Sequence, residues 1–187
     1  MKLEQMKYGA ALVLSLAGAA AFAAPPAAAP QERPRVTRET QFASWGLSCA
    51  VAQDAKGKPA ERCMISQLVS TNPKQGKVVL GITVDYADNP KTPTMRARFS
   101  AAAERRAGIG IKIDARPDMR LPISDCNAQR CEAVGRLAPD VLAAWRGGKL
   151  AQLAFIGQGG KQVLLPISLA GFDQALAALA RYPGGRG

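Results

Sequence analysis

The reading of the fold turns on Leu150-Ala-Gln-Leu-Ala-Phe-Ile156, Gly157-Gln-Gly-Gly160 and the segment that follows, Val163-Leu-Leu-Pro-Ile-Ser-Leu169. Two apolar segments of strand length flank a glycine-rich bend, the local signal of a β-hairpin. The same bend is too short for a phosphate loop and lacks the Lys-Ser/Thr that would follow one. Working outward, Lys77-Val-Val-Leu-Gly-Ile-Thr-Val-Asp-Tyr86 reads as a long strand rich in β-branched residues. Ile109, Ile111 and Ile113 point one way, with Gly110 and Lys112 the other. Cys63, Ile65 and Gln67 alternate with Met64, Ser66 and Leu68, and Phe42, Ser44 and Gly46 with Ala43, Trp45 and Leu47. A period of two is the mark of strands.

Helical signal is confined to two places. Pro139-Asp-Val-Leu-Ala-Ala-Trp-Arg146 has proline where a first turn tolerates it and Gly147-Gly148 as a stop. Phe172-Asp-Gln-Ala-Leu-Ala-Ala-Leu-Ala-Arg181 places Phe172, Leu176 and Leu179 on one stripe, with Pro183 as terminator. The expected class is mainly β: an antiparallel β-sandwich or open barrel with two short helices.

The chain has 187 residues, 48% of them hydrophobic and 21% charged, which suits one domain. It has no histidine, which excludes Ser-His-Asp and Cys-His nucleophile systems, His-ligated metals and an imidazole switch. Residues 1–23 read as an export signal: Lys2 and Lys7, the apolar run Gly9–Phe22, and the small-x-small site Ala21-Phe22-Ala23. Cleavage there removes two lysines and one glutamate, taking 187 residues to 164 and the formal charge from +11 to +10. Residues 24–39, rich in Pro, Ala and Arg, read as a flexible leader, residues 40–182 as the folded domain, and 183–187 as a disordered tail. A periplasmic or secreted location follows.

Cys49, Cys63, Cys126 and Cys131 make an even count in an exported chain, implying two disulfides with three possible connectivities. Turn-like inserts, Gln53–Pro59 and Asn127–Arg130, favour the local pairs Cys49–Cys63 and Cys126–Cys131. A Cys-only zinc site is disfavoured by the Cys-x13-Cys spacing and by export.

Segment Lys91–Arg120 carries eight basic residues against three acidic ones. Arg96 and Arg98, flanking Ala97, would share a strand face, with Arg105 and Arg106 on an adjoining loop. These four form a candidate anion-binding patch for lipopolysaccharide phosphates, acidic glycans or a membrane surface, against the simpler reading of a solvated face. Nucleic acid is not expected, since Phe99 alone offers a stacking ring there. Trp45 and Trp145 read as core residues. Asp114 and Asp125 could be imagined as an acid/base pair but read more simply as turn or strand-end residues bonding backbone. Ser168 lies in an apolar strand without a base.

Several ordered landmarks resemble the invasion-associated locus B (IalB) family of Gram-negative bacteria. They are Phe42-Ala-Ser-Trp-Gly-Leu-Ser-Cys49, Arg62-Cys-Met-Ile-Ser-Gln67, Gly110-Ile-Lys-Ile-Asp114, Leu121-Pro-Ile-Ser-Asp-Cys126 with Cys131, and Leu165-Pro-Ile-Ser-Leu-Ala-Gly-Phe-Asp-Gln-Ala-Leu176. Ser44 departs from the acidic residue the family usually carries before the tryptophan, and Arg98–Arg106 replaces its usual proline-containing segment. The resemblance implies an exported envelope or interaction protein linked to host-cell contact, and supplies no catalytic residues. The expectation is a non-enzymatic protein without cofactor or metal. The alternative is a periplasmic module binding a small ligand or glycan in the sandwich groove.

Overall fold

The computed structural model describes residues 34–53, 56–72, 76–87, 89, 91–114, 116 and 119–182. The expected signal 1–23, most of the leader and the tail 183–187 lie outside them.

Apolar alternation builds two antiparallel sheets. The larger contains β1 (Arg35–Phe42), β2 (Trp45–Gln53), β3 (Pro59–Asn72), β4 (Lys77–Asp85), β5 (Thr94–Ser100), β8 (Ile123–Cys126) and β9 (Arg130–Arg136), in the order β1-β2-β3-β4-β5-β9-β8. The smaller contains β6 (Ile109–Ile113), β7 (Met119–Leu121), β10 (Leu150–Ile156) and β11 (Gln162–Ser168), in the order β11-β10-β6-β7. Neither sheet closes on itself, so the architecture is a sandwich rather than a barrel. Helix α1 (Pro139–Gly147) leads into β10, and α2 (Phe172–Leu179) follows β11.

Each strand contributes its alternate residues to one core. Leu80, Ile82 and Val84 of β4 meet Met95, Ala97 and Phe99 of β5 on the inner face of the large sheet. Ile109, Ile111 and Ile113 of β6 meet Ala151, Leu153 and Phe155 of β10 on that of the small one. The sheets touch where the Phe99 and Phe155 rings lie 5.0 Å apart. Burying each such side chain contributes about 1.5–3 kcal/mol. Trp45, Trp145 and Phe172, all with no exposed surface, form a second aromatic group joining β2 to both helices, with ring centroids 5.0–6.1 Å apart. Both tryptophans are core residues.

Two local expectations need correction. The sheet begins at Arg35, inside the stretch read as leader and five residues before Thr40. Every side chain of β1 except the half-buried Phe42 is exposed, so the strand carries no apolar alternation. Backbone pairing to β2, from Phe42 opposite Trp45 out to Arg35 opposite Val51, holds it. Likewise the alternation read through Ala43 and Ser44 is interrupted, because these two residues form the β1–β2 turn, with Ala43 at a φ of 47°.

Candidate functional site

The landmark residues of the sequence converge at one corner of the sandwich. The Gln67 side chain on β3 is turned inward and 7% exposed. Its Nε2 donates to the Ser168 carbonyl at 2.9 Å and to the Ser44 carbonyl at 3.0 Å, while its Oε1 accepts from the Ser168 N–H at 3.1 Å. The Trp45 indole N–H donates to the same Ser168 carbonyl at 2.9 Å. The Ser44 and Ser168 hydroxyls lie 3.0 Å apart, and the Ser44 N–H donates to the Ala170 carbonyl at 3.1 Å. Ser168 is thus tied to both sheets through polar contacts, and buried polar groups of this kind must be paired or they cost stability. Gly171 completes the corner at a φ of 87°, and a Cβ there would stand 1.9 Å from the Phe42 carbonyl oxygen. Only glycine lets the chain pass so close.

The arrangement therefore joins the two sheets. Tryptophan, serine and glycine are visible in the sequence as landmarks, but the role of Gln67 is not. A glutamine on the apolar parity of a strand, at Cys63-Met-Ile-Ser-Gln67, is the signal that could have found it.

The sulfurs are paired as Cys49–Cys63 and Cys126–Cys131, and none among the described residues is free. Both bridges link directly opposed residues, β2 to β3 and β8 to β9. With every cysteine bonded to another, the zinc alternative has no thiolates to use. Two disulfides suit an oxidising compartment. No helix among the described residues is long and apolar enough to cross a membrane.

Asp114 sits just after β6 at a φ of 48°, and its carboxylate accepts from the backbone N–H groups of Lys149 and Leu150, each at 3.1 Å. It orders the entry to β10. Asp125 belongs to β8, opposite Glu132 at a bulge. No contact joins the two aspartates, and each serves as a turn or strand residue.

Of the four patch arginines, Arg96 and Arg98 do share the outer face of β5, on either side of the buried Ala97. Arg96 Nη1 lies 2.6 Å from Asp85 Oδ2 on β4, and Arg98 Nε lies 2.5 Å from Glu132 Oε2 on β9. Arg105 and Arg106 stand in a short 3-10 turn, where Arg105 Nη2 donates to the Ser124 carbonyl of the edge strand β8 at 2.9 Å. Arg96 and Arg98 thus lie on the outer face of β5 and Arg105 and Arg106 in the turn before β6, with the first two charges compensated by carboxylates.

The whole arrangement, a Trp45 opening strand, the Cys49–Cys63 bridge and the Ser168–Phe172 corner, spans the region matched by a family model. That model, Invasion associated locus B (IalB) protein, covers residues 45–180. The chain belongs to the IalB family. The crystal structure of invasion associated protein B from Bartonella henselae is similar in fold, with a TM-score of 0.66, covering 78% of this chain and 96% of that one at 21% identity. No curated protein matches the sequence. The IalB family model thus takes in the Trp45, Cys49–Cys63 and Ser168–Phe172 landmarks.

Proposed function

We propose that this IalB protein is exported after cleavage behind Ala23 and acts in the envelope or at the cell surface by contact, without catalysis. One observation carries the reading: the conspicuous polar residues, Gln67, Ser44, Ser168 and Asp114, are engaged in joining sheets and strand ends. What the fold offers a partner is the outer faces of its sheets, carrying a strong positive charge. The similar protein of Bartonella henselae is invasion associated by name; contact with a host or envelope component is the corresponding role proposed for this chain. Anionic components of the envelope are the preferred class of partner, because the chain still carries a formal charge of +10 after that cleavage removes two lysines and one glutamate from +11. Arg106 and the outward edges of Arg98 and Arg105 would contribute to that attraction.

Cross-linking in intact cells, followed by mass spectrometry, tests the proposal. Capture of one envelope or host component, lost as salt rises, is the expected result. Recovery of the protein in the cytosol with four free thiols would overturn it.

A second reading, a glycan- or small-ligand-binding module, has one feature in its favour. Glu39, Gln41, Gly46, Ser48 and Ser66 line a shallow polar trough on the large sheet. Such a module would show ligand-dependent melting that persists in salt.

A further inference from the structure

We infer that the outer face of the four-stranded sheet is the side this protein lays against an anionic lipid surface. The inference rests on the contact reading above and names the partner and the face.

The pairing register lays that face out in rows. Leu164 of β11 stands beside Ala154 of β10, Gly110 of β6 and Arg120 of β7. The next row runs Pro166, Gln152, Lys112. Leu150 and Ile156 stand outward at the two ends of β10, and Leu164 and Leu150 are 53% and 43% exposed. No described element covers these residues: α2 packs on β1, β2 and β3 of the other sheet, and α1 packs on α2.

The charges on this face differ from those on the opposite one. No outward-pointing residue of β6, β7, β10 or β11 is acidic. Lys112 and Arg120 are exposed and form no ion pair among the described residues. On the large sheet, by contrast, Arg96 and Arg98 are matched by Asp85 and Glu132. The large sheet thus mixes acidic with basic side chains, two of its arginines being paired, whereas the four-stranded face presents cations beside exposed aliphatic side chains with no acidic residue among them.

That combination selects its occupant. Leu150, Leu164 and Ile156 can enter the headgroup layer while Lys112 and Arg120 extend to lipid phosphates, their long stems lying along the apolar surface. The bare centre at Gly110 and Ala154 leaves the face flat enough for a planar surface. Addition of a second copy at the β11 edge is opposed by Pro166, which has no N–H to donate.

Sedimentation with vesicles tests this, using equal parts phosphatidylglycerol and phosphatidylcholine against phosphatidylcholine alone. The full-length oxidised protein should pellet with the anionic vesicles only. Lys112→Glu with Arg120→Glu should weaken partition by more than about 25-fold, roughly fivefold for each cation lost with the added carboxylates repelled besides. Leu164→Ser should weaken it several-fold with melting unchanged. Lys77→Glu with Arg130→Glu, an equal charge change on the opposite sheet, should have little effect.

Three results would overturn the inference. They are no binding to anionic vesicles, equal loss in both charge-reversed proteins, or a lipid-free dimer that Leu164→Ser dissolves. Failure with vesicles while cells still yield a specific cross-linked protein would remove the lipid face and leave the contact reading standing.

Discussion

The amide of Gln67 pairs with both backbone groups of Ser168, its Nε2 at 2.9 Å from the carbonyl oxygen and its Oε1 at 3.1 Å from the nitrogen. A side chain from one sheet thereby bonds the backbone of the other as a neighbouring strand would. Gln67→Leu keeps the volume and leaves the Ser168 N–H without its partner. A loss of about 2–3 kcal/mol is expected, since a buried polar group deprived of its partner bears its full desolvation cost. Urea unfolding with an unchanged slope checks this; a loss within experimental error would show that water replaces the amide.

The two tryptophans should respond differently to the same substitution. Trp45 donates its indole N–H to Ser168, whereas Trp145, equally buried, has no acceptor for its own among the described residues. Both changes to phenylalanine remove similar packing. Trp45→Phe also breaks a hydrogen bond, while Trp145→Phe removes an unsatisfied donor. Trp45→Phe should therefore be the more damaging by about 2 kcal/mol. Paired denaturation curves of the two variants give the difference directly.

Asp114 is predicted to be a structural residue. Asp114→Asn keeps an acceptor oxygen and tolerates the left-handed backbone, so stability should change by no more than about 0.5 kcal/mol. Asp114→Ala removes the acceptor for two N–H groups and should cost about 1–2 kcal/mol. Thermal melting measures both, and partner capture should be unchanged in the asparagine protein.

The disulfides should contribute unequally. Cys49 and Cys63 are 14 residues apart, Cys126 and Cys131 only 5. In the chain-entropy picture, losing the first bridge costs about 3 kcal/mol and losing the second about 2 kcal/mol. Urea midpoints of Cys49→Ala/Cys63→Ala and Cys126→Ala/Cys131→Ala test the order. Equal losses would indicate that local strain or residual structure outweighs loop length.

Strand periodicity and paired cysteines determined much of this protein without any coordinates. The isoleucines of β6, the hairpin of β10 and β11 and both helices were legible because their side chains alternate or recur with the period of the element that buries them. The inserts between the cysteines pointed to the pairing that the structure contains. Only the tertiary structure decided three other matters. Strand β1 is held by backbone pairing to β2, a Thr37 hydrogen bond to the Cys49 carbonyl and Phe42 at its end, and the rest of it leaves no apolar alternation. Gln67 meets Ser168 across 101 residues of chain, a contact no local pattern encodes. The charge of an arginine depends for its effect on what stands opposite: Asp85 and Glu132 neutralise Arg96 and Arg98, while Lys112 and Arg120 face outward unmatched. Counting charges along a chain gives their sum, but register and pairing set which face presents them.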